Sequence, residues 1–278
     1  MTEVKRGAGY FRSGLPITRD LTLAYALSLV VALLMAGASI VGLLHPTVIY
    51  PTDELRRWLV TNDALNLVAG LPLLLGSMGL ARRGRLIGLL CWPGALFYVL
   101  YVYLAYTLSV PFGVLFLPYL LLVSLSACTL IGLVASVDGE AVRQRLSGSV
   151  PARVSGGILL GLAILIIARQ TALITTALIR QAQVGAGELA VWIDDFAVAC
   201  PALLVVGVQL WRRRALGYVG GGGLFLAYGV LAIGLIPGML SSSPIDVGGI
   251  IVVLVMAAVC LAPFAFFVRG ATSYHSSS

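Results

Sequence analysis

The sequence predicts an all-α, polytopic membrane protein with eight transmembrane helices arranged as two tandem four-helix repeats. Three observations lead to this prediction: the composition, the number of long apolar runs, and a charge pattern that occurs twice. Of 278 residues, 60% are hydrophobic and only 10% are charged, and the mean hydropathy is +1.03. Because soluble domains carry about 25% charged residues, this composition excludes a soluble helical bundle.

Eight apolar runs are long enough to cross a bilayer, since a helix needs about 20 apolar residues to span its hydrocarbon core. They are 21–44, 62–81, 86–108, 112–136, 153–179, 190–211, 216–239 and 247–268. The first run is longer than the apolar core of a signal peptide, which has about 7–15 residues. We therefore predict a transmembrane helix there. Pro111 marks the turn between the third and fourth runs.

Lysine and arginine collect in alternate loops. One side has Lys5, Arg6, Arg12, Arg19, Arg82, Arg83, Arg85, Arg143, Arg145, Arg153, Arg212, Arg213, Arg214 and Arg269. The other side has only Arg56, Arg57 and Arg180. Because basic loops stay in the cytoplasm, we predict a cell-membrane protein with both termini cytoplasmic. This distribution explains the net charge of +7 without nucleic acid, and it makes membrane lipid the expected partner.

An apolar helix with an acid at its outer end and arginines at its inner end occurs twice. Asp63 precedes Arg82 by the same interval as Asp195 precedes Arg214. Each copy also contains an early proline, Pro72 or Pro201. The pattern predicts two related halves.

We place the two four-helix units at residues 1–145 and 146–278, with the junction in the long loop 138–153. The sequence GALF at 94–97 is echoed by GGLF at 222–225. Because each unit has an even number of spans, both run in the same direction. A pseudo-twofold axis along the membrane normal is expected, as in parallel-repeat transporters.

Residues 66–103 (NLVAGLPLLLGSMGLARRGRLIGLLCWPGALFYVLYVY), together with residues 193–217, resemble a family of uncharacterised bacterial multi-pass integral membrane proteins. The resemblance covers about half the chain. It rests on the A-R-R-G and G-A-L-x-Y-x-L-Y pieces, and family members often have Y-N-Y where this chain has Tyr101-Val102-Tyr103. The resemblance implies tandem four-helix units and no known activity.

The segment between the first two runs predicts a short interfacial helix on the outer surface. Pro51 suits a first helical position, and Asp53 and Glu54 suit a first turn. Leu55, Trp58 and Leu59 then recur at helical spacing. Trp58 is the expected membrane anchor.

A charged residue at membrane depth is costly, by about +2.5–3.5 kcal/mol at a helix centre, so such residues are the first candidates for function. Arg169 lies roughly 24 Å from the inner end of its helix, at about 1.5 Å per residue. Acidic residues begin the second and sixth spans at a similar height. We therefore predict one outer-leaflet ligand-binding cluster between the halves, consisting of Asp63, Asn66, Arg169, Gln170, Asp194 and Asp195.

Two interpretations of this cluster remain open. In the first, Arg169 has a structural role: it pairs with Asp194 or Asp195 as a clasp, or it extends to the outer surface. In the second, the cluster binds a solute or ion. The resulting hypotheses are a small-solute or ion transporter or binding protein, and a non-catalytic structural or assembly subunit of a larger membrane complex. Tyr98, Tyr101, Tyr103 and Tyr106 of the third span are interpreted as an aromatic belt plus core packing rather than a ligand cavity.

Motifs of enzymes and cofactors are missing from the sequence. No H-E-x-x-H, G-x-S-x-G or Walker A pattern occurs, and the only histidines, His45 and His275, do not suit axial haem ligation. The four cysteines lie inside apolar runs without C-x-x-C spacing, which favours small buried residues over metal ligands. We therefore predict no cofactor, no metal and no catalytic residue.

Overall fold

A computed structural model of the protein describes residues 15–240 and 247–272. Apart from short connections and an isolated β-bridge between Ile17 and Val137, the described residues are helical. Four residues used in the charge and cofactor arguments lie outside the described residues: Lys5, Arg6, Arg12 and His275.

Eight helices in the described part of the chain are long and apolar enough to cross a membrane. They are Thr22–Leu44, Asp53–Arg82, Leu86–Ser109, Phe116–Ser136, Ala152–Arg180, Ala186–Trp211, Ala215–Leu240 and Val247–Thr272. Their number and order confirm the predicted all-α polytopic fold. Seven of them begin within a few residues of the predicted runs.

The first six helices are α1 (Thr22–Leu44), α2 (Pro46–Ile49), α3 (Asp53–Leu65), α4 (Leu71–Arg82), α5 (Leu86–Ser109) and α6 (Phe116–Ser136). The remaining six are α7 (Gly139–Leu146), α8 (Ala152–Arg180), α9 (Ala186–Asp194), α10 (Cys200–Trp211), α11 (Ala215–Leu240) and α12 (Val247–Thr272). One π-helical turn, Asn66–Gly70, joins α3 to α4, and a second, Asp195–Ala199, joins α9 to α10.

The prediction of a separate interfacial helix around Trp58 is wrong. Thr52 caps α3 by accepting a hydrogen bond from the Leu55 N–H at 3.3 Å, and α3 then continues through the π-turn into α4. No proline or glycine interrupts the chain between Thr52 and Gly70, so the helical hydrogen bonds have no reason to stop at the membrane surface. Trp58 is 58% exposed on this outer extension.

Helix α5 is the centre of the molecule. The most apolar stretch of α5 is 83% buried inside the protein, whereas the corresponding stretches of the other seven spans are only 22–44% buried. It packs against α4, α6, α9 and α11. Gly94 of α5 meets Gly223 of α11 backbone to backbone, and a Cβ on either residue would collide with the other helix. Small residues allow this close approach of membrane helices.

The turn from α4 to α5 has the same backbone hydrogen bonds as the turn from α10 to α11. In the first, the donor–acceptor pairs are Arg83–Gly79, Gly84–Ala81, Arg85–Leu80 and Gly88–Arg85. In the second they are Arg212–Val208, Arg213–Leu210, Arg214–Gln209 and Gly217–Arg214. Equivalent residues are separated by the same offset that separates Pro72 from Pro201. Gly84 and Arg213, at matching positions, both have positive φ, 75° and 55°.

The connection between α6 and α8 contains the amphipathic helix α7. Asp138 caps it by accepting hydrogen bonds from the Glu140 and Ala141 N–H groups, both at 3.1 Å. Glu140 forms an ion pair with Arg143 one turn later. Hydrogen bonds from Arg143 lower the pKa of the Glu140 carboxyl below its ordinary value, and the same contact raises the pKa of Arg143.

Candidate functional site

Three residues of the predicted cluster lie together and are joined by hydrogen bonds. The Gln170 Nε2 of α8 donates to Asp195 Oδ2, and the Arg169 Nη1 donates to Gln170 Oε1 at 3.4 Å. The Tyr101 hydroxyl of α5 donates to Asp195 Oδ1 at 2.9 Å. Gln170 is 2% exposed and Asp195 is 6% exposed. These residues and the adjacent Asp194 form the Asp195 cluster.

Asp194 is the unusual member of the Asp195 cluster. It is 0% exposed, and neither carboxylate oxygen has a hydrogen-bond partner among the described residues. The Tyr101 and Tyr228 hydroxyls lie within electrostatic range of both carboxylates, and the buried Tyr228 hydroxyl is also without a partner there. This region therefore holds unused hydrogen-bonding capacity. Each buried polar group left without a partner costs about 1–3 kcal/mol.

The other two predicted residues, Asp63 and Asn66, belong to a second network, the Asp63 cluster. Asp63 accepts hydrogen bonds from the hydroxyls of Tyr50 at 2.6 Å and Tyr106 at 3.1 Å. Tyr106 also donates to the Leu59 carbonyl at 3.0 Å. Both carboxylate oxygens of Asp63 therefore have a hydroxyl partner, and Tyr106 shares its single proton between Asp63 and the Leu59 carbonyl.

Asn66 uses both ends of its amide. It accepts from the Tyr98 hydroxyl at 2.9 Å and donates to Ser39 Oγ and the Tyr103 hydroxyl, both at 3.3 Å. The Ser39 and Tyr103 hydroxyls share a further hydrogen bond at 3.0 Å. The Asp63 cluster thus joins α1, the outer connection, the second span and α5.

The six predicted residues therefore form two networks instead of one. Among the described residues, no hydrogen bond or ion pair joins Asp63 or Asn66 to the Asp195 cluster, and none forms an ion pair with Arg169. The two networks lie on different sides of α5, because Tyr101 and Tyr103, two residues apart on a helix, point in nearly opposite directions. Among the described residues, Arg169 forms no ion pair with Asp194 or Asp195, so the structure does not support Arg169 as a direct clasp to either acid. Its contact with Asp195 passes through Gln170.

Both networks are built at a π-turn. Asn66 and Asp195 are the first residues of their π-turns, and Pro72 and Pro201 follow at the beginning of the next helix. A proline ring collides with the carbonyl of the residue four positions earlier in an α-helix. A widened π-turn at that place relieves the collision, and such turns occur often at functional sites. At the proline offset, Asp195 corresponds to Asn66, whereas the repeated sequence pattern pairs Asp195 with Asp63.

Sequence reasoning missed the role of the tyrosines. Core packing is confirmed for Tyr98, Tyr103 and Tyr106, which are at most 1% exposed. They are not belt residues at the membrane surface, because their hydroxyls are buried in the Asp63 cluster, where Tyr98 and Tyr106 donate to Asn66 and Asp63 and Tyr103 accepts from Asn66. The sequence did contain a signal, which is depth in the membrane. Counting residues along the helices places these tyrosines of α5 at the same level of the outer leaflet as Asp63 and Asn66.

The described residues do not form a cluster suited to binding a metal ion. No group of three or more His, Cys, Asp or Glu side chains suited to a metal ion occurs among the described residues. Three of the four cysteines are buried as expected, but Cys128 is exposed on α6. That face of α6 is part of the apolar outer surface, so the expectation of burial inside the protein is wrong for Cys128.

The fold defines an all-α multi-pass membrane protein whose apolar outer surface contacts lipid. No protein family, curated protein or solved structure matches this chain.

Proposed function

We propose that the protein binds a monovalent cation at Asp194 and Asp195 and carries it across the membrane. The observation that supports this most strongly is the Asp194 carboxylate, which is fully buried with both oxygens unpartnered. When ionised, a carboxylate in such a place needs a proton or another cation, because leaving an ion unpaired in an apolar interior is costly. Asp63 differs in that hydroxyl groups donate hydrogen bonds to both of its carboxylate oxygens.

The charge of the site favours a cation with a single positive charge. With both carboxylates ionised, Asp194, Asp195 and Arg169 together carry one net negative charge. The Tyr228 hydroxyl and the Asp194 oxygens supply free oxygen atoms for a bound ion. Asp195 lies about 24 Å from the inner end of α10, at about 1.5 Å per residue, so a cation bound there has already entered the outer leaflet.

Two related halves would supply a mechanism for carrying the cation. We propose that the matching turns, the two π-turns and the Gly94–Gly223 contact reflect a tandem repeat with its axis at the α5–α11 crossing. In parallel-repeat transporters the halves rock about such an axis to open a central site to each side alternately. The resemblance of residues 66–103 to uncharacterised bacterial membrane proteins remains a prediction of the same architecture.

We further propose that the protein lies in the cell membrane with both termini in the cytoplasm. The basic loops support this orientation, since Lys and Arg accumulate on the cytoplasmic side. It is tested in intact cells with a membrane-impermeant maleimide, which should label Asp53→Cys and leave Ser147→Cys unlabelled. The opposite labelling would invert the topology.

The transport proposal is tested in proteoliposomes under imposed gradients of H⁺, Na⁺, K⁺ and tetramethylammonium. Asp194→Asn and Asp195→Asn should each lower the flux of the carried cation at least tenfold. Glu188→Gln is the matched control, because Glu188 is an exposed acid on the same helix, and its flux should equal that of the wild type. Flux no greater than in empty liposomes for all four cations would overturn the proposal.

The alternative function is a non-catalytic subunit of a membrane complex. It is favoured by the outer half of α8, where Leu173, Leu178 and Ile179 are 36%, 74% and 77% exposed and would suit a partner helix as well as lipid. Purification in mild detergent, followed by native mass spectrometry, separates the two functions. A defined stoichiometric partner together with no cation flux supports the subunit, and a monomer with flux supports the carrier.

A further inference from the structure

Four arginines lie where α8 begins and where α10 turns into α11. Arg212, Arg213 and Arg214 connect α10 to α11, and Arg153 is the second residue of α8. All four side chains are exposed, and none of them forms an ion pair with a described residue. We call these four residues the arginine cluster. It carries four positive charges that no described acid neutralises through an ion pair.

The packing of α8 against α10 brings Arg153 beside the turn. A Cβ on Gly156 would collide with the backbone of Trp211, and a Cβ on Gly157 would collide with the Trp211 ring. Arg153 precedes these two glycines by three and four residues, so it shares their face of α8 and lies one turn nearer the beginning of the helix. Trp211 directly precedes Arg212 in the chain. Arg153 and the arginines of the turn therefore border the same surface.

The beginning of α8 strengthens the positive character of this surface. The N-cap residue is Pro151, so no side chain caps the helix, and its first turn contains no acid. The free N–H groups and the dipole of a helix N-terminus favour a negatively charged group. Helix α7 differs, because Asp138 caps it and Glu140 pairs with Arg143. An anion is therefore favoured at the arginine cluster and not at the start of α7.

Arg213 is held in an unfavourable backbone conformation. Its φ is 55°, in the left-handed region, whereas the matching turn between α4 and α5 has Gly84 at this position, with a φ of 75°. Glycine adopts such an angle without steric cost, and a residue with a side chain does not. The turn itself would therefore be better served by glycine. A strained residue of this kind indicates a role for its side chain.

Exposed apolar side chains continue from the arginine cluster into the membrane. Val154 follows Arg153 directly and is 63% exposed. On α10, Val205 and Val208 are 52% and 36% exposed. They precede Arg212 by seven and four residues, so they lie on the same face of the helix. Positive charge and apolar surface therefore adjoin along both helices, a combination that suits an amphipathic anion better than a soluble one.

We propose that the arginine cluster binds the phosphate headgroup of an anionic phospholipid, whose acyl chains lie along α8 and α10. Basic clusters at the ends of membrane helices attract anionic lipid headgroups, and arginine donates paired hydrogen bonds to phosphate. The cluster faces the side that the proposed topology makes cytoplasmic, so the lipid belongs to the inner leaflet. It lies about 24 Å from Asp195 along α10, at about 1.5 Å per residue, and the inference is independent of the proposed cation site.

The binding test is native mass spectrometry of the detergent-purified protein with phosphatidylglycerol and, separately, with phosphatidylcholine of identical acyl chains. Both lipids contain a phosphate, but only phosphatidylglycerol has a net negative charge. Phosphatidylglycerol should bind at least fivefold more tightly, and equal binding of the two lipids would overturn the inference. An equal concentration of glycerol phosphate, which has the charge without the chains, should not displace the lipid. Displacement would identify a site for soluble anions and overturn the assignment to lipid.

Two variants locate the site. Arg153→Gln and Arg213→Gly should each weaken phosphatidylglycerol binding at least threefold and leave phosphatidylcholine binding unchanged. Arg213→Gly is the more informative variant, because it removes the strained conformation and should raise the melting temperature while it weakens lipid binding. A purely structural role of Arg213 would not produce both changes.

Arg57→Gln is the matched control, since Arg57 is an exposed arginine at the opposite end of the molecule. It removes the same charge and should bind phosphatidylglycerol like the wild type. Elution as a single species in size-exclusion chromatography checks that each variant is folded. If Arg57→Gln weakens binding as much as Arg213→Gly, the lipid responds only to net charge and the inference is wrong. Normal binding by both Arg153→Gln and Arg213→Gly would also contradict it.

Discussion

The Asp63 cluster and the Asp195 cluster lie at similar depth and use the same kinds of side chain, yet they differ in how completely their hydrogen bonds are made. In the Asp63 cluster, Tyr50 and Tyr106 satisfy both carboxylate oxygens, and Asn66 has partners at both ends of its amide. In the Asp195 cluster, Asp194 has no partner. A satisfied buried network rigidifies a fold, whereas an unsatisfied one keeps capacity for a ligand.

The difference follows from the residues that α5 directs toward each cluster. Tyr98, Tyr103 and Tyr106 face the Asp63 cluster, and only Tyr101 donates a hydrogen bond to the other. Three hydroxyls from α5 fill the first network: Tyr98 and Tyr106 donate to it, and Tyr103 accepts from Asn66. One donor leaves the second open, so the two similar polar clusters differ in how much hydrogen-bonding capacity remains.

The largest expected effect separates the two carboxylates. Asp63→Ala and Asp194→Ala delete the same volume, so the cost of the cavity is similar and the difference reports the lost hydrogen bonds. Because Tyr50 loses its acceptor while Tyr106 keeps the Leu59 carbonyl, and a buried hydroxyl left unpaired costs about 1–3 kcal/mol, Asp63→Ala should lower the free energy of unfolding by about 1–3 kcal/mol more than Asp194→Ala does. Thermal unfolding in detergent, followed by circular dichroism, measures this. Equal losses would mean that Asp63 is no more structural than Asp194.

A smaller effect is expected from the tyrosines. Tyr98→Phe leaves the buried Asn66 oxygen without its donor and should cost about 1–2 kcal/mol of stability. Tyr101→Phe should cost less, because Asp195 keeps Gln170, but it should change the affinity for tetramethylammonium at least threefold. The two variants are compared by thermal unfolding and titration calorimetry. A Tyr101→Phe protein with unaltered cation affinity would remove Tyr101 from the binding site.

The smallest effect concerns the backbone geometry shared by the α4–α5 turn and the α10–α11 turn. Gly84 and Arg213 occupy matching turns with positive φ, and a left-handed conformation costs a residue with a side chain roughly 1–2 kcal/mol. Arg213→Gly should therefore raise the free energy of unfolding by about 1 kcal/mol, and Gly84→Ala should lower it by a similar amount. Opposite shifts of the melting temperature are expected. Shifts of the same sign would show that the two turns are not equivalent.

The sequence was sufficient for the membrane spans because their signal is local. Each span needs only about 20 apolar residues in succession, and polar breaks at Arg82–Arg85 or Arg212–Arg214 separate them clearly. The continuation of the second span beyond Asn62 was missed, because its polar outer turns resemble a surface helix in composition. Only the continuous helical backbone from α3 into α4 distinguishes this segment from a separate surface helix.

The site was predicted in part because depth can be counted along a helix but contact cannot. Counting placed Asp63, Asn66, Arg169 and Asp195 at one height. Their separation into two clusters depends on which side of α5 each faces, and therefore on helix packing. The partners of Asn66, from Ser39 to Tyr103, are distant along the chain, so no local pattern announces them. Pro72 and Pro201 are a local sequence signal for the π-turns. They show which residues of the two segments correspond only once the structure has located the turns.

The unequal lengths of the spans have a consequence for the surrounding lipid. Helix α8 has 29 residues and α6 has 21, so at about 1.5 Å per residue they measure about 43 Å and 31 Å. A hydrocarbon core of about 30 Å matches α6 but not α8, which must tilt or thicken the bilayer around it. Acyl-chain length should then set the inclination of α8 and, with it, the width of the space beside α9.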